Sequence, residues 1–236
     1  MGSMGYFFDL VKWAWKDAKD KSHSCLNDYS YEKGHKQWNL LITKDEWLEK
    51  QSFETLSKVY GCGLKKILVD LYIPSTNPRL DTSQLDIVFI NRSGIYVIEV
   101  KNYTCKKIKG TDKGNWKRIE FNGRINDADN PIKQNTNHIK NLMELFPYYP
   151  KEYFKNIIVY SDAVKIEYEP SGELPFDTTV INFKYLKSLI KVITKESEEV
   201  FSDENIYRVY NELSQYARCD YETRRKHVEQ VNALQN

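Results

Sequence analysis

The clearest pattern along the chain is a pair of apolar runs. Residues 85–90 read Leu-Asp-Ile-Val-Phe-Ile and residues 95–100 read Ile-Tyr-Val-Ile-Glu-Val, with Asn91-Arg92-Ser93-Gly94 between them. Short β-branched and aromatic runs around an Asn/Ser/Gly turn predict a β-hairpin. Ile67, Val69, Leu71 and Ile73 alternate with polar residues and predict a strand over residues 66–74. Asn130-Pro131 opens a helix, proline being suited to the first turn, and its apolar stripe is Ile132, Ile139, Leu142, Met143 and Phe146. Residues 155–161 form a buried-type strand after that helix, so parallel pairing through a crossover is expected.

The flanks are predominantly helical. Thr43-Lys44-Asp45-Glu46 has capping-box spacing and starts a helix expected to reach Tyr60, with Gly61 and Gly63 as the stop. Residues 5–20 predict an amphipathic helix with Phe7, Leu10, Val11 and Ala14 on one side. Residues 178–182 suggest a further strand, and 183–194, 203–217 and 220–234 suggest helices. The expected division is an N-terminal helix and linker (1–45), a core (46–182) and a C-terminal helical extension packed on it (183–236).

Charge changes the picture at the hairpin. An unpaired charge inside a buried strand is costly, yet Asp86, Glu99 and Lys101 all fall in these two strands. A turn centred on Arg92 and Ser93 sets Asp86 opposite Glu99, about 5 Å apart at Cβ; a bulge at Gly94 would shift that register. Two carboxylates that close suit a shared hard cation, Mg²⁺ or Mn²⁺. Lys101, on the same face as Glu99, could hold a water or phosphate oxygen beside it. The spacing alone is equally compatible with a buried cluster that neutralises itself.

Gln84-Leu85-Asp86, Gly94-Ile95-Tyr96-Val97-Ile98-Glu99-Val100-Lys101-Asn102-Tyr103, Trp116 and Asn130-Pro131-Ile132-Lys133-Gln134 occur in this order. Over residues 46–162 the chain resembles the nuclease-related domain (NERD) family of the PD-(D/E)xK nuclease superfamily. The resemblance implies an α/β, restriction-endonuclease-like core (αβββαβ, a mixed sheet flanked by helices) with extra helices at both ends. It implies a metal-dependent nuclease, with DNA preferred over RNA. Asp86, Glu99 and the Val100 carbonyl would hold Mg²⁺ or Mn²⁺, Lys101 would orient the attacking water, and Gln134 would orient Lys101 or the substrate. A glutamate on the first helix would assist the ion. Glu54 matches by position, with Glu46 and Glu49 as competitors. Related nucleases carry a tyrosine four residues after this glutamine, where His138 stands here; His138 would contact phosphate or simply pack. The alternative is a non-cleaving nucleic-acid-binding or protein-interaction module on a nuclease-like fold.

Composition narrows the field. In 236 residues, 29% charged residues argue for a soluble surface, and a net charge of +2 requires any basic footprint to be local. The local concentration is Lys106, Lys107, Lys109, Lys113, Lys117 and Arg118, interleaved with Trp116. It predicts a hairpin that tracks phosphates and stacks a base on Trp116, or else a solvated edge whose lysines discourage pairing. Four scattered cysteines without a CxxC pair fit a reducing, cytoplasmic setting. No run reaches membrane-span length, and no GxxxxGK[ST] phosphate loop is present. The terminal helices are candidate surfaces for a protein partner or a second copy of the chain.

Overall fold

The computed structural model describes residues 44–235 except residue 218. The helix expected over 5–20 and the Thr43 cap lie outside the described residues. The element order is α1 (Lys44–Ser57), β1 (Lys65–Pro74), β2 (Thr82–Asn91), β3 (Gly94–Lys101), β4 (Lys107–Gly110), β5 (Trp116–Ile119), β6 (Ile125–Ala128), α2 (Pro131–Leu145), β7 (Phe154–Tyr160), β8 (Lys165–Tyr168), β9 (Asp177–Asn182), α3 (Leu186–Glu196), α4 (Asp203–Ser214) and α5 (Tyr221–Gln235).

The main sheet has the order β1-β2-β3-β7-β9. Its first three strands are antiparallel, and β7 and β9 join in parallel. The crossover from β3 through α2 to β7 supplies the expected mixed sheet. Both faces are covered, so the central strands carry near-continuous apolar runs. Ile95 and Val97 of β3 pack with Ile139 and Leu142 of α2 and Ile206 and Val209 of α4. Tyr96 and Ile98 pack on the other side with Phe53 and Leu56 of α1 and Leu186 and Ile190 of α3. The segment after residue 182 therefore supplies both cores rather than a peripheral layer.

The β2–β3 hairpin turns on Arg92-Ser93 without a bulge, pairing Asn91 with Gly94 and Ile87 with Ile98. Gly94 has φ 133°, and a Cβ there would collide with the Tyr153 carbonyl. Asn91 Oδ1 accepts from the Ser93 N–H and hydroxyl, and the Arg92 carbonyl accepts from Val200 and Phe201 N–H. The hairpin tip is thus pinned by its own turn and by the segment before α4.

Inside-outside alternation reverses once in this sheet, at Asp70 and Asp86. Along β1, Ile67 and Val69 lie in the α1-side core, whereas Leu71 and Ile73 lie in the α2-side core. Along β2, Ile87 and Phe89 lie on the α1 side and Leu85 on the α2 side. The strand pairing is unchanged across the break, Val69 opposite Ile87 and Leu71 opposite Leu85. Asp70 makes the reversal with φ 54°, a conformation that short polar side chains tolerate best. Its carboxylate accepts from Gln84 Nε2 at 2.8 Å and Arg224 at 2.7 Å. A second sheet, β6-β5-β4-β8, packs Ile108 and Trp116 onto Ile158 and Tyr160 of β7.

Candidate active site

The site grows from the end of the β2–β3 ladder. Beyond Ile87–Ile98, the Asp86 side chain continues the pairing: Oδ2 accepts from the Val100 N–H at 2.8 Å. Glu99 is 2% exposed, and its Oε1 lies 2.6 Å from Lys101 Nζ. Burial, and then the negative charge of Glu99, push the Asp86 carboxyl up to about 7; Lys101, the Val100 N–H and His138 oppose the rise. Burial would pull the Lys101 ammonium down, but Glu99 and Asp86 outweigh it and hold its pKa above the ordinary value. The three charges predicted from the strand pattern thus form one electrostatic unit.

Helix α2 delivers the next residues, and helical geometry decides which. Asn130 caps it, Oδ1 accepting from Ile132 and Lys133 N–H while Nδ2 donates to the carbonyls of Thr111 and Gly114. That double attachment ties the helix start to the β4–β5 turn. Gln134, His138 and Asn141 then share one strip, at the i, i+4, i+7 spacing of a helix face. Gln134 Oε1 accepts from Lys101 Nζ at 2.9 Å. His138 Nδ1 is 2.7 Å from Ser83 Oγ, and its Nε2 faces Glu99 Oε2 at 3.6 Å. Asn141 Oδ1 accepts from the Thr76 N–H and hydroxyl. Burial holds the His138 imidazole down to about 4, so it is neutral at physiological pH. His138 is therefore a neutral ring at the cleft floor, engaged with Ser83 and set beside Glu99, rather than a cation offered to phosphate.

The α1 carboxylates divide by helix register. Glu46, Glu49, Asp70, Asp86, Val100 and Arg224 line one recess, on the α1 side of Asp86. Glu54 is absent from that lining; it lies 3.6 Å from Lys50 and 3.7 Å from Lys58, within α1. Five residues separate Glu49 from Glu54, which rotates one about 140° from the other around the axis. Position along the first helix therefore favours a glutamate that the helix turns away from this recess. Among the described residues no group of three His, Cys, Asp or Glu side chains is arranged to hold an ion by itself.

The basic hairpin needs a larger correction. Trp116 is fully buried, stacked between Tyr160 (centroids 6.0 Å) and Tyr168 (5.8 Å), with Nε1 donating to the Thr111 carbonyl. Its ring cannot receive a base. A Cβ at Gly110 would strike the indole, which explains a glycine in β4. Lys107 pairs with Glu167, Lys117 with Asp127 and Arg118 with Glu120. Lys106 and Lys109 remain on the surface of this sheet. Asp127 and Glu167 lie in β6 and β8, strands that were not anticipated.

The cleft on the α2 side of Asp86 also holds lysines that the sequence reading passed over. Lys133 and Lys140, both exposed, line it with Lys101 and Gln134. Their i, i+7 spacing beside the Gln134 strip is the signal that points to them. In α5, expected from the sequence as a helix over residues 220–234, His227, Val231 and Leu234 line this cleft and Arg224 lines the α1-side recess.

A mixed sheet with an acidic pair and a lysine at the end of its central hairpin, flanked by helices, defines a restriction-endonuclease-like nuclease fold. The family model of the nuclease-related domain (NERD) matches residues 44–161, half of the chain, and the chain belongs to that family. Membership gives it a nuclease-related function and implies interaction with nucleic acid. Comparison with curated proteins and with solved structures finds no match. No helix among the described residues is long and apolar enough to cross a membrane.

Proposed function

We propose that the chain is a metal-dependent nuclease that hydrolyses phosphodiester bonds, with DNA as its substrate. The observation that carries the reading is the buried Glu99, bonded to Lys101, beside an Asp86 whose carboxyl is raised by burial and the neighbouring charge. Like charges so placed favour a cation between them, and Mg²⁺ commonly uses one or two carboxylates and completes its shell with water. The donor chemistry therefore fits Mg²⁺ or Mn²⁺, with Asp86, Glu99 and the Val100 carbonyl as the oxygens that would hold it. Glu49 and Glu46, which line the recess with Asp86, would assist from α1. Such an ion would supply positive charge for the developing phosphorane and acidify a water.

The chain's own residues do the rest. Burial beside Glu99 and Asp86 keeps Lys101 protonated, so its remaining N–H serves as a donor to a phosphoryl oxygen or to the attacking water, and the side chain is not a base. Gln134 fixes the ammonium from one side and Glu99 from the other. The test is cleavage of single- and double-stranded DNA and RNA with Mg²⁺, with Mn²⁺ and with chelator. Cleavage lost in chelator and in Glu99→Ala supports the reading; cleavage unchanged in Glu99→Ala overturns it. Binding without cleavage in any divalent ion would mark a nucleic-acid-binding module on a nuclease fold.

A further inference from the structure

The cleft beside Asp86 and Lys101 has a volume of about 780 Å³, the space of a cube about 9 Å on a side. Asn115 of the β4–β5 turn, Asn77 and Leu80 of the β1–β2 loop, and Val231 and Leu234 of α5 line it. Helix α5 is held from Arg224 to Gln230. Arg224 binds Asp70 at 2.7 Å, His227 Nδ1 lies 3.1 Å from the Thr82 carbonyl, Gln230 Oε1 accepts from the Asp81 N–H at 3.0 Å, and Lys226 pairs with Asp81. Tyr72 and His227 add an edge-to-face ring contact at 5.4 Å. All of α5 lies beyond the residues matched by the family model.

The floor is suited to an extended strand. Lys133, Asn137 and Lys140 form a strip on α2 next to Gln134, His138 and Asn141, and all three are exposed. From Lys133 to Lys140 the helix rises about 10 Å, which meets phosphates about three nucleotides apart at the about 3.4 Å spacing of a stacked strand. Neither lysine has a carboxylate partner among the described residues. Asn77, Asn115 and Asn137 offer amides that both donate and accept, and the Watson–Crick edges of bases are open to such groups only when the bases are unpaired. A volume of about 780 Å³ has room for a few nucleotides of one strand and not for both strands of a B-form duplex, whose major groove alone is about 12 Å wide.

We infer that nucleic acid enters this site as a single unpaired strand, laid along α2 against Lys133 and Lys140, with α5 as the wall that excludes a duplex. The inference rests on the nucleic-acid reading of the site but not on cleavage. Its test is fluorescence anisotropy of the full chain, in chelator, with a short labelled DNA strand and with the same strand annealed to its complement. The single strand binds at least about tenfold tighter. Lys133→Glu with Lys140→Glu lowers that affinity at least about tenfold, and the paired alanine variants flatten the salt dependence by about 1.4 in log–log slope, about 0.7 for each lysine. Duplex binding as tight as single-strand binding, or an unchanged slope in the alanine variants, overturns it. Single-strand binding without cutting in any divalent ion sinks the nuclease reading and leaves this one standing. Equal cutting of duplex and single strand does the reverse.

Discussion

The chain contains two hairpins rich in charge, and they use it in opposite ways. In β2–β3 the charges sit at the end of a central ladder with covered faces, so Asp86, Glu99 and Lys101 must answer one another and Gln134. In β4–β5 the cations stand on the surface of a small sheet, and Glu167, Asp127 and Glu120 from the strands and turn around them take up Lys107, Lys117 and Arg118. The buried side chains of that second hairpin are uncharged, Ile108 and Trp116. A charge acquires chemical meaning where the fold denies it water and a trivial partner; abundance along the sequence is no substitute.

The largest expected effect is on the second hairpin and is structural. Trp116→Ala removes a fully buried ring stacked on two tyrosines, which costs about 3–5 kcal/mol. Denaturant unfolding should show that loss, while the folded fraction keeps its affinity for nucleic acid. A folded variant with unchanged stability and weaker binding would return Trp116 to the role of a stacking platform.

Next comes the chemical half of the comparison. Lys101→Met should lower the cleavage rate by about 10²–10³-fold, the cost of one donor aimed at developing charge. Lys107→Met with Lys117→Met should stay within about threefold, since exposed ion pairs contribute little. Rates measured at saturating substrate decide it. Comparable losses in both variants would erase the distinction between the hairpins.

A smaller effect, of unusual sign, belongs to Asp86. Its carboxyl is raised from about 3.8 to about 7, so its contribution to stability is full below the unfolded value and is lost as pH rises through about 7. Asp86→Asn does not suffer that loss. In chelator at pH 8 the variant should be about 2 kcal/mol more stable than the parent. That is roughly half of what the full shift corresponds to, because Asp86 keeps some contact with solvent. The advantage should shrink towards zero near pH 4, with cleavage abolished throughout. Thermal melts across this range check it, and a destabilised variant at pH 8 would show that Asp86 is compensated without an ion.

Particular residues show what could be read from the sequence. The β2–β3 hairpin was legible because two short apolar runs flank an Asn/Ser/Gly turn, and Asn130-Pro131 marked the α2 start because cap and first-turn proline act locally. The reversal at Asp70 left no such trace. Nothing local announces φ 54° at an aspartate; Gln84 and Arg224, 14 and 154 residues away, hold it. The strands β6 and β8, four residues each and largely exposed, carry little hydrophobic signal. The Trp116 environment was lost with them. The place of α5 was illegible because its attachments, to Asp70, Asp81 and Thr82, are polar and distant in sequence.

The smallest effect separates two glutamates on one helix. Glu54 pairs with the lysines one turn before and after it, at 3.6 and 3.7 Å, and such i,i+4 pairs are worth about 0.3–0.5 kcal/mol each. Glu54→Gln should shift stability by less than about 1 kcal/mol and leave cleavage and its Mg²⁺ requirement within about twofold. Glu49 is 8% exposed and lines the recess that also receives Asp86 and Val100, so Glu49→Gln should raise the Mg²⁺ concentration for half-maximal cleavage by more than Glu54→Gln does. Titrating Mg²⁺ against rate for the two variants, side by side, is the measurement. If Glu54→Gln raised the requirement and Glu49→Gln did not, α1 would have to turn by more than a third of a revolution when nucleic acid binds, and the recess on the α1 side of Asp86 would have no part in the reaction.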